Sequence, residues 1–239
     1  LLSEENVGNL TDEEKAKILE QKVALEEKLE NIKVVEEKKN TVKDTVTSLP
    51  KSDKVTSENK PAIEDALDVI KDLLSDENVG NLTAREKLEI EKQKADLEKK
   101  LENIKATEQR LGMVENAVNN IPKTNEVTSD NKSEIERALG FITYLLSKEN
   151  VGKLTAEEKA KIEEQKADIE EKLGNIKAAE EKLEAVEDTV TTLPNADTVT
   201  SDNKTAIEDA LGIIENLLSE EKVGNLTAEE KTAVEEQKA

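Results

Sequence analysis

Apolar residues recur along this chain in steps of three, four and seven, grouped in long and short blocks. Between Thr11 and Leu49 no Pro or Gly intervenes. Ile18, Leu25, Leu29, Ile32, Val35, Val42, Val46 and Leu49 keep mostly to those steps. Such spacing lines them along one face of a helix. The same block returns as Ile90, Leu97, Leu101, Ile104, Leu111, Val114, Val118 and Ile121. It returns again as Ile162, Ile169, Leu173, Ile176, Leu183, Val186, Val190 and Leu193. Shorter blocks alternate with these: Ile63, Leu67, Ile70, Leu73 and Leu74, then Ile135, Leu139, Ile142, Leu145 and Leu146, then Ile207, Leu211, Ile214, Leu217 and Leu218. Each predicts a second, shorter helix.

Punctuation residues agree with the blocks. Thr11 and Glu14 form a Thr-x-x-Glu capping box, which recurs as Thr83/Glu86, Thr155/Glu158 and Thr227/Glu230. In this box each residue satisfies a free backbone N–H of the other, so it marks the start of a long helix. Pro50, Pro122 and Pro194 end the long helices, because the residue before proline avoids helical geometry. Thr56-Ser57, Thr128-Ser129 and Thr200-Ser201 supply N-caps for the short helices, and Pro61 falls in a first turn. Gly8, Gly80, Gly152 and Gly224 suit C-terminal caps in the left-handed conformation. Gly112 and Gly174 lie inside long helices, at a cost of roughly 1 kcal/mol each relative to Ala.

The stretch Leu73–Thr83 shows the order behind this. Close copies start at Leu1, Leu73, Leu145 and Leu217, a period of 72 residues. A fixed period means an array of repeated units. Each period predicts one helix of ~19 residues and one of ~38, about 28 and 57 Å long. A short helix covers only half of a long one. The long helix is therefore expected to close one three-helix bundle with its first half and open the next with its second.

The expected fold is all-α, an elongated, spectrin-like tandem array of three-helix bundles with long helices shared between neighbours. The boundaries are a partial preceding repeat at 1–29, bundle 1 at 30–100, bundle 2 at 101–172 and bundle 3 at 173–239, its last helix truncated. Leu1–Gly8 reads as the tail of a helix, and the chain as a segment of a longer array. Stacked end to end, three periods reach on the order of 150 Å. The rival is a hinge in the middle of each long helix, for which Gly174 provides a place; Glu30 and Glu102 hold that register in the earlier copies.

Composition narrows the chemistry. The 239 residues contain no Cys and no His, one Phe, one Tyr and no Trp. Disulfides and thiolate metal sites are excluded, and so is the commonest general base. The core must be built from Leu, Ile, Val and Ala. Acidic residues number 56 against 35 basic, a formal charge of -21. That charge opposes nucleic acid and anionic membrane surfaces, and no apolar run is long enough to span a bilayer. A monomer is expected.

Motif by motif, the residues point away from catalysis. Serines such as Ser75 have no His to activate them. Paired carboxylates such as Glu13-Glu14 and Glu157-Glu158 fall on exposed helix faces rather than across a cleft. Asp76–Gly80 is acidic and turn-like, but an EF-hand begun at Asp76 would have Gly80 at its fifth position and Asn81 at its sixth, so the pattern fails. Asn9, Asn81, Asn131, Asn203 and Asn225 stand in Asn-x-Ser/Thr triplets, which serve equally as turns and caps. Phe141 and Tyr144 share one short helix, where core or boundary filling is expected. No catalytic, cofactor-binding or metal-binding residue is assigned, no enzyme activity or cofactor is expected, and a ligand site is left unassigned.

The run from Leu193 through Pro194, Asn195, Ala196 and Asp197 to Lys204, with Ala206–Leu211 and Leu226–Lys231, resembles the helical tandem repeats of Gram-positive bacterial cell-surface proteins, in the style of FIVAR and albumin-binding (GA) modules. The Tyr and Trp positions typical of FIVAR repeats are missing. The resemblance implies an extracellular structural role: a rod-like stalk of an adhesin-type protein, carrying other domains away from the cell. It also implies an alternative, a helical module that binds a host protein such as albumin, immunoglobulin or a matrix component. An intracellular scaffold is the third reading. Comparing copies, the fixed positions are mostly turn, cap and core positions, which favours the spacer.

Overall fold

The computed structural model describes residues 10–238, which contain helices and turns and no strand. Three long helices, α1 (Asp12–Ser48), α3 (Ala84–Asn119) and α5 (Ala156–Thr192), alternate with three short ones, α2 (Lys60–Leu73), α4 (Lys132–Leu145) and α6 (Lys204–Leu217). A last helix, α7, covers Ala228–Lys238. The predicted tail at Leu1–Gly8 and the triplet at Asn9 lie outside the described residues.

The capping boxes start the long helices as expected. The Glu14 carboxylate accepts from Thr11 N at 2.8 Å, and Thr11 Oγ1 accepts from Glu14 N at 3.2 Å. The same exchange occurs at Thr83/Glu86, Thr155/Glu158 and Thr227/Glu230. α1 and α5 end on Ser48 and Thr192, two residues before Pro50 and Pro194. α5 runs unbroken through Gly174. One glycine costs too little to interrupt a helix that buries side chains on either side of it.

The short helices have 14 residues rather than ~19. The difference lies in their ends, which are 3-10 turns. At the start, Asn59 closes a box on Thr56 by accepting from its backbone N–H at 3.0 Å; Asn131 and Asn203 do the same for Thr128 and Thr200. At the other end the chain leaves through Val79–Asn81, Val151–Lys153 and Val223–Asn225. Gly80, Gly152 and Gly224 sit in the middle of these turns. No described glycine has a positive φ, so the expected left-handed cap is not the device used. Turns closed by i→i+3 bonds keep φ negative.

The chain divides into two units, Leu1–Lys105 and Ala106–Ala239. In the first, one apolar core collects Val35 and Val42 from α1, Val55 from the loop, and Ile63, Ala66, Ile70 and Leu73 from α2. Leu82 joins them, as do Ile90, Leu97 and Ile104 of α3. The second unit holds two cores. One gathers Val114, Ile121, Val127, the α4 residues Ile135, Ala138, Ile142 and Leu145, then Leu154, and Ile162, Ile169 and Ile176 from α5. The other gathers Val186 from the far part of α5, Ile214 and Leu217 from α6, then Leu226 and Val234. Within this unit α5 thus serves two cores in succession.

One part of the pattern is unpartnered. Along α1, Leu25, Leu29 and Ile32 are exposed, although they keep the register of Leu97, Leu101 and Ile104. The periodicity defines the face, but covering it needs other helices, and among the described residues none covers it.

Candidate functional site

Every corner between a short and a long helix is built from the repeated stretch, so it is the first place to look for a site. Asn78 donates through Nδ2 to the Asp72 carbonyl at 3.1 Å and to Ser75 Oγ at 3.4 Å. Asn150 repeats both bonds with Tyr144 and Ser147 at 3.1 Å each. The serine singled out in the sequence is thus an acceptor within a helix terminus. Asp76 and Glu77 are exposed, and no group of three acidic side chains able to hold a metal occurs among the described residues.

The third corner does more. Asn225 is buried and donates through Nδ2 to the carbonyls of Thr124 and Val127, both at 2.9 Å. Ser129 Oγ donates to the Glu230 carboxylate at 2.7 Å. A Cβ built on Gly224 would lie 2.2 Å from the Asn125 carbonyl oxygen, so backbone packs on backbone there. At Gly80 a Cβ would meet nothing within 4 Å. The Asn-Leu-Thr triplet at Asn225 is therefore a packing element, and Lys153 stands in its register in the preceding copy. Residue types alone did not distinguish Asn225 from Asn81; only the loop from Thr124 to Val127 does.

Two clefts occupy one register in successive copies. The first, about 320 Å³, is lined by Lys39, Lys43, Arg85, Glu86, Glu89 and Gln93, among others. The second, about 270 Å³, is lined by Glu108, Leu111, Glu115, Glu158, Lys161 and Gln165, among others. Lys39 of the first corresponds to Leu111 of the second, Lys43 to Glu115, and Glu89 to Lys161. In the first cleft Glu86 accepts from Lys39 and from Thr83. The Lys39 ammonium, followed by the Thr83 N–H, lowers its carboxyl from 4.5 to about 2. In the second, Lys161 pairs with Glu115 at 2.9 Å. A shared ligand would need shared lining, and here three wall positions change charge.

Elsewhere the polar side chains hold structure. Lys100 and Lys172 are buried on α3 and α5, paired with Asp96 and with Asp168, the latter at 2.7 Å. Asn103 donates to the Ser52 carbonyl at 2.8 Å, and Asn175 to that of Thr124 at 3.4 Å. These buried lysines and half-buried asparagines escaped the sequence reading, although their recurrence 72 residues apart was a usable signal. A lysine among glutamates reads as surface until its neighbours are known. Hydrogen bonding to Glu180 raises the Lys132 ammonium above its ordinary 10.5.

The aromatic pair departs from expectation. Phe141 and Tyr144 are exposed rather than core-filling, and the Arg110 guanidinium lies 5.1 Å from the centre of the Tyr144 ring. At their registers the first copy has Val69 and Asp72, so the pair belongs to one copy alone. No described helix is long and apolar enough to cross a membrane. Comparisons with family models, curated proteins and solved structures give no match.

Proposed function

We propose that this chain is a rod-like spacer, part of the stalk of an adhesin-type protein on a bacterial cell surface, built as tandem three-helix bundles with shared long helices. The observation that carries the reading is α5. Ile162, Ile169 and Ile176 enter one core and Val186 enters the next, along one unbroken helix. A helix committed to two cores couples them in line, and an array coupled this way gains length with each copy. The change of lining between the two register-related clefts supports a spacer over a repeated ligand site. The extracellular placement rests on the resemblance to Gram-positive surface repeats and agrees with the lack of Cys.

Duplicating residues 73–144 in frame tests this. A spacer lengthens by about 50 Å for one added period, a third of the length expected for three. An increase of only a few ångströms, as for a growing globule, contradicts it. The second reading, a module for a host protein, is favoured by one feature, the exposed Phe141 and Tyr144. A specific micromolar complex with albumin, immunoglobulin or a matrix protein, lost in Phe141→Ala/Tyr144→Ala, would promote it.

A further inference from the structure

The second copy differs from its neighbours on one outward face. Arg137, Phe141 and Tyr144 are four and three residues apart on α4, so they line one exposed side of it. Lys148, also exposed, follows in the turn after the helix. Arg110 reaches them from α3, its guanidinium 5.1 Å from the centre of the Tyr144 ring. Met113, 55% exposed, comes three residues after Arg110 on the same side of α3. The one Phe, one Tyr and one Met of the chain thus gather here, with two of its three Arg. These residue types are the ones enriched where proteins bind partners.

Charge is reversed on the same face. At the registers of Arg110, Arg137, Tyr144 and Lys148 the first copy has Lys38, Asp65, Asp72 and Asp76, and the third has Lys182, Asp209, Asn216 and Glu220. One cation stands against three carboxylates in the first copy and against two in the third; here three cations stand with none. The cation of the long helix is also engaged in those copies. Lys38 pairs with Asp72 at 2.5 Å, and Lys182 donates to the Asn216 side-chain oxygen at 2.5 Å. Tyr144 puts a ring where that acceptor would stand. A guanidinium lying on a ring keeps its N–H edge available to a carboxylate. Among the described residues no carboxylate pairs with Arg110, Arg137 or Lys148. Glu134, exposed one turn before Arg137, tempers the cluster without pairing with it.

We propose that this face of the second copy is a docking surface for an acidic polypeptide segment. Its carboxylates meet Arg110, Arg137 and Lys148, and an apolar side chain between them seats on Phe141, Tyr144 and Met113. Charge complementarity names the occupant. A chain of charge -21 repels anions overall, so an acidic partner is held only where the sign is locally reversed. That reversal coincides with the exposed aromatic pair. Arg137 and Tyr144 lie about 10 Å apart along α4, the reach of about three residues of extended chain. The carboxylates of the segment are therefore set about three residues apart, around one apolar anchor. A second copy is disfavoured as occupant, because like charge would meet like over most of its surface. Such a face needs no rod: a compact chain would present it equally, so it stands apart from the spacer reading.

Selecting short random peptides on the immobilised full chain at ~0.15 M salt tests it. The expected result is a pool enriched in Asp and Glu around an aromatic or aliphatic residue, whose members bind at one site per chain. Arg137→Asp/Tyr144→Asp/Lys148→Asp gives three exposed positions the residues of the first copy, so it should keep the helical circular dichroism of the parent. It should weaken binding of the selected peptides by roughly tenfold or more, as loss of an anchor does. Should that variant unfold, Arg137→Asp/Lys148→Asp, which leaves the Arg110–Tyr144 contact in place, decides in the same direction. A pool with no acidic enrichment overturns the proposal, as do peptides that bind the folded variant as tightly as the parent. So does self-association in sedimentation velocity that the variant abolishes, which would give the face to a second copy. None of these outcomes alters the length of the chain, so the spacer reading stands or falls separately.

Discussion

At the scale of single residues the copies separate where their text is nearly the same. Gly80 and Gly224 occupy the same 3-10 turn, but only Gly224 has a carbonyl oxygen pressed on it. Gly224→Ala should destabilise the second unit by about 1–3 kcal/mol, the usual cost of forcing a methyl into a filled space. Gly80→Ala should be nearly neutral, since neither φ is positive and the added methyl meets nothing. Chemical denaturation of the two variants reads the difference. Glu86 makes a second case. Its folded carboxyl, at about 2, lies below its ordinary 4.5, so its contribution to stability is fully present above 4.5 and is lost as pH falls toward 2. In Glu86→Gln, stability should fall less between those pH values than in the parent chain. The two proteins differ at this side chain alone, so comparing their acid-unfolding curves isolates it.

At the scale of helices, local chemistry and partner supply split the outcome. Caps and starts were legible: Thr11, Thr83, Thr155 and Thr227 all begin helices with their glutamates three residues on. A capping box closes within four residues and needs nothing distant. Apolar registers were legible too, as faces. Which faces end up covered was not, because Leu25 and Leu97 differ only in what lies opposite. The buried Asn225 and Lys172 were missed for the same reason, and the short helices were overestimated because 3-10 turns share the residue preferences of helix ends. The register pair makes this measurable. Leu97→Ala should cost about 2–5 kcal/mol in the unfolding of the first core, as for other buried leucines. Leu25→Ala should stay within about 0.5 kcal/mol, as for an exposed site. Equal losses at the two positions would mean that the α1 face is covered in solution.

For the whole molecule, the spacer reading rests on the way α5 joins two cores along one helix. A helix that must end one core and begin the next cannot fold back without exposing one of them. Its first half keeps Ile162, Ile169 and Ile176 in place, and its second half keeps Val186. The absence of Trp, and of all but two aromatics, leaves these cores to aliphatic side chains alone. An isolated 72-residue unit so built would be marginal, and α5 ties together the two cores of the second unit. Small-angle X-ray scattering on the dilute chain tests the spacer reading most directly. It predicts a maximum dimension near ~150 Å and a radius of gyration near ~40 Å. A radius near ~18 Å, that of a compact globule of this length, would contradict it.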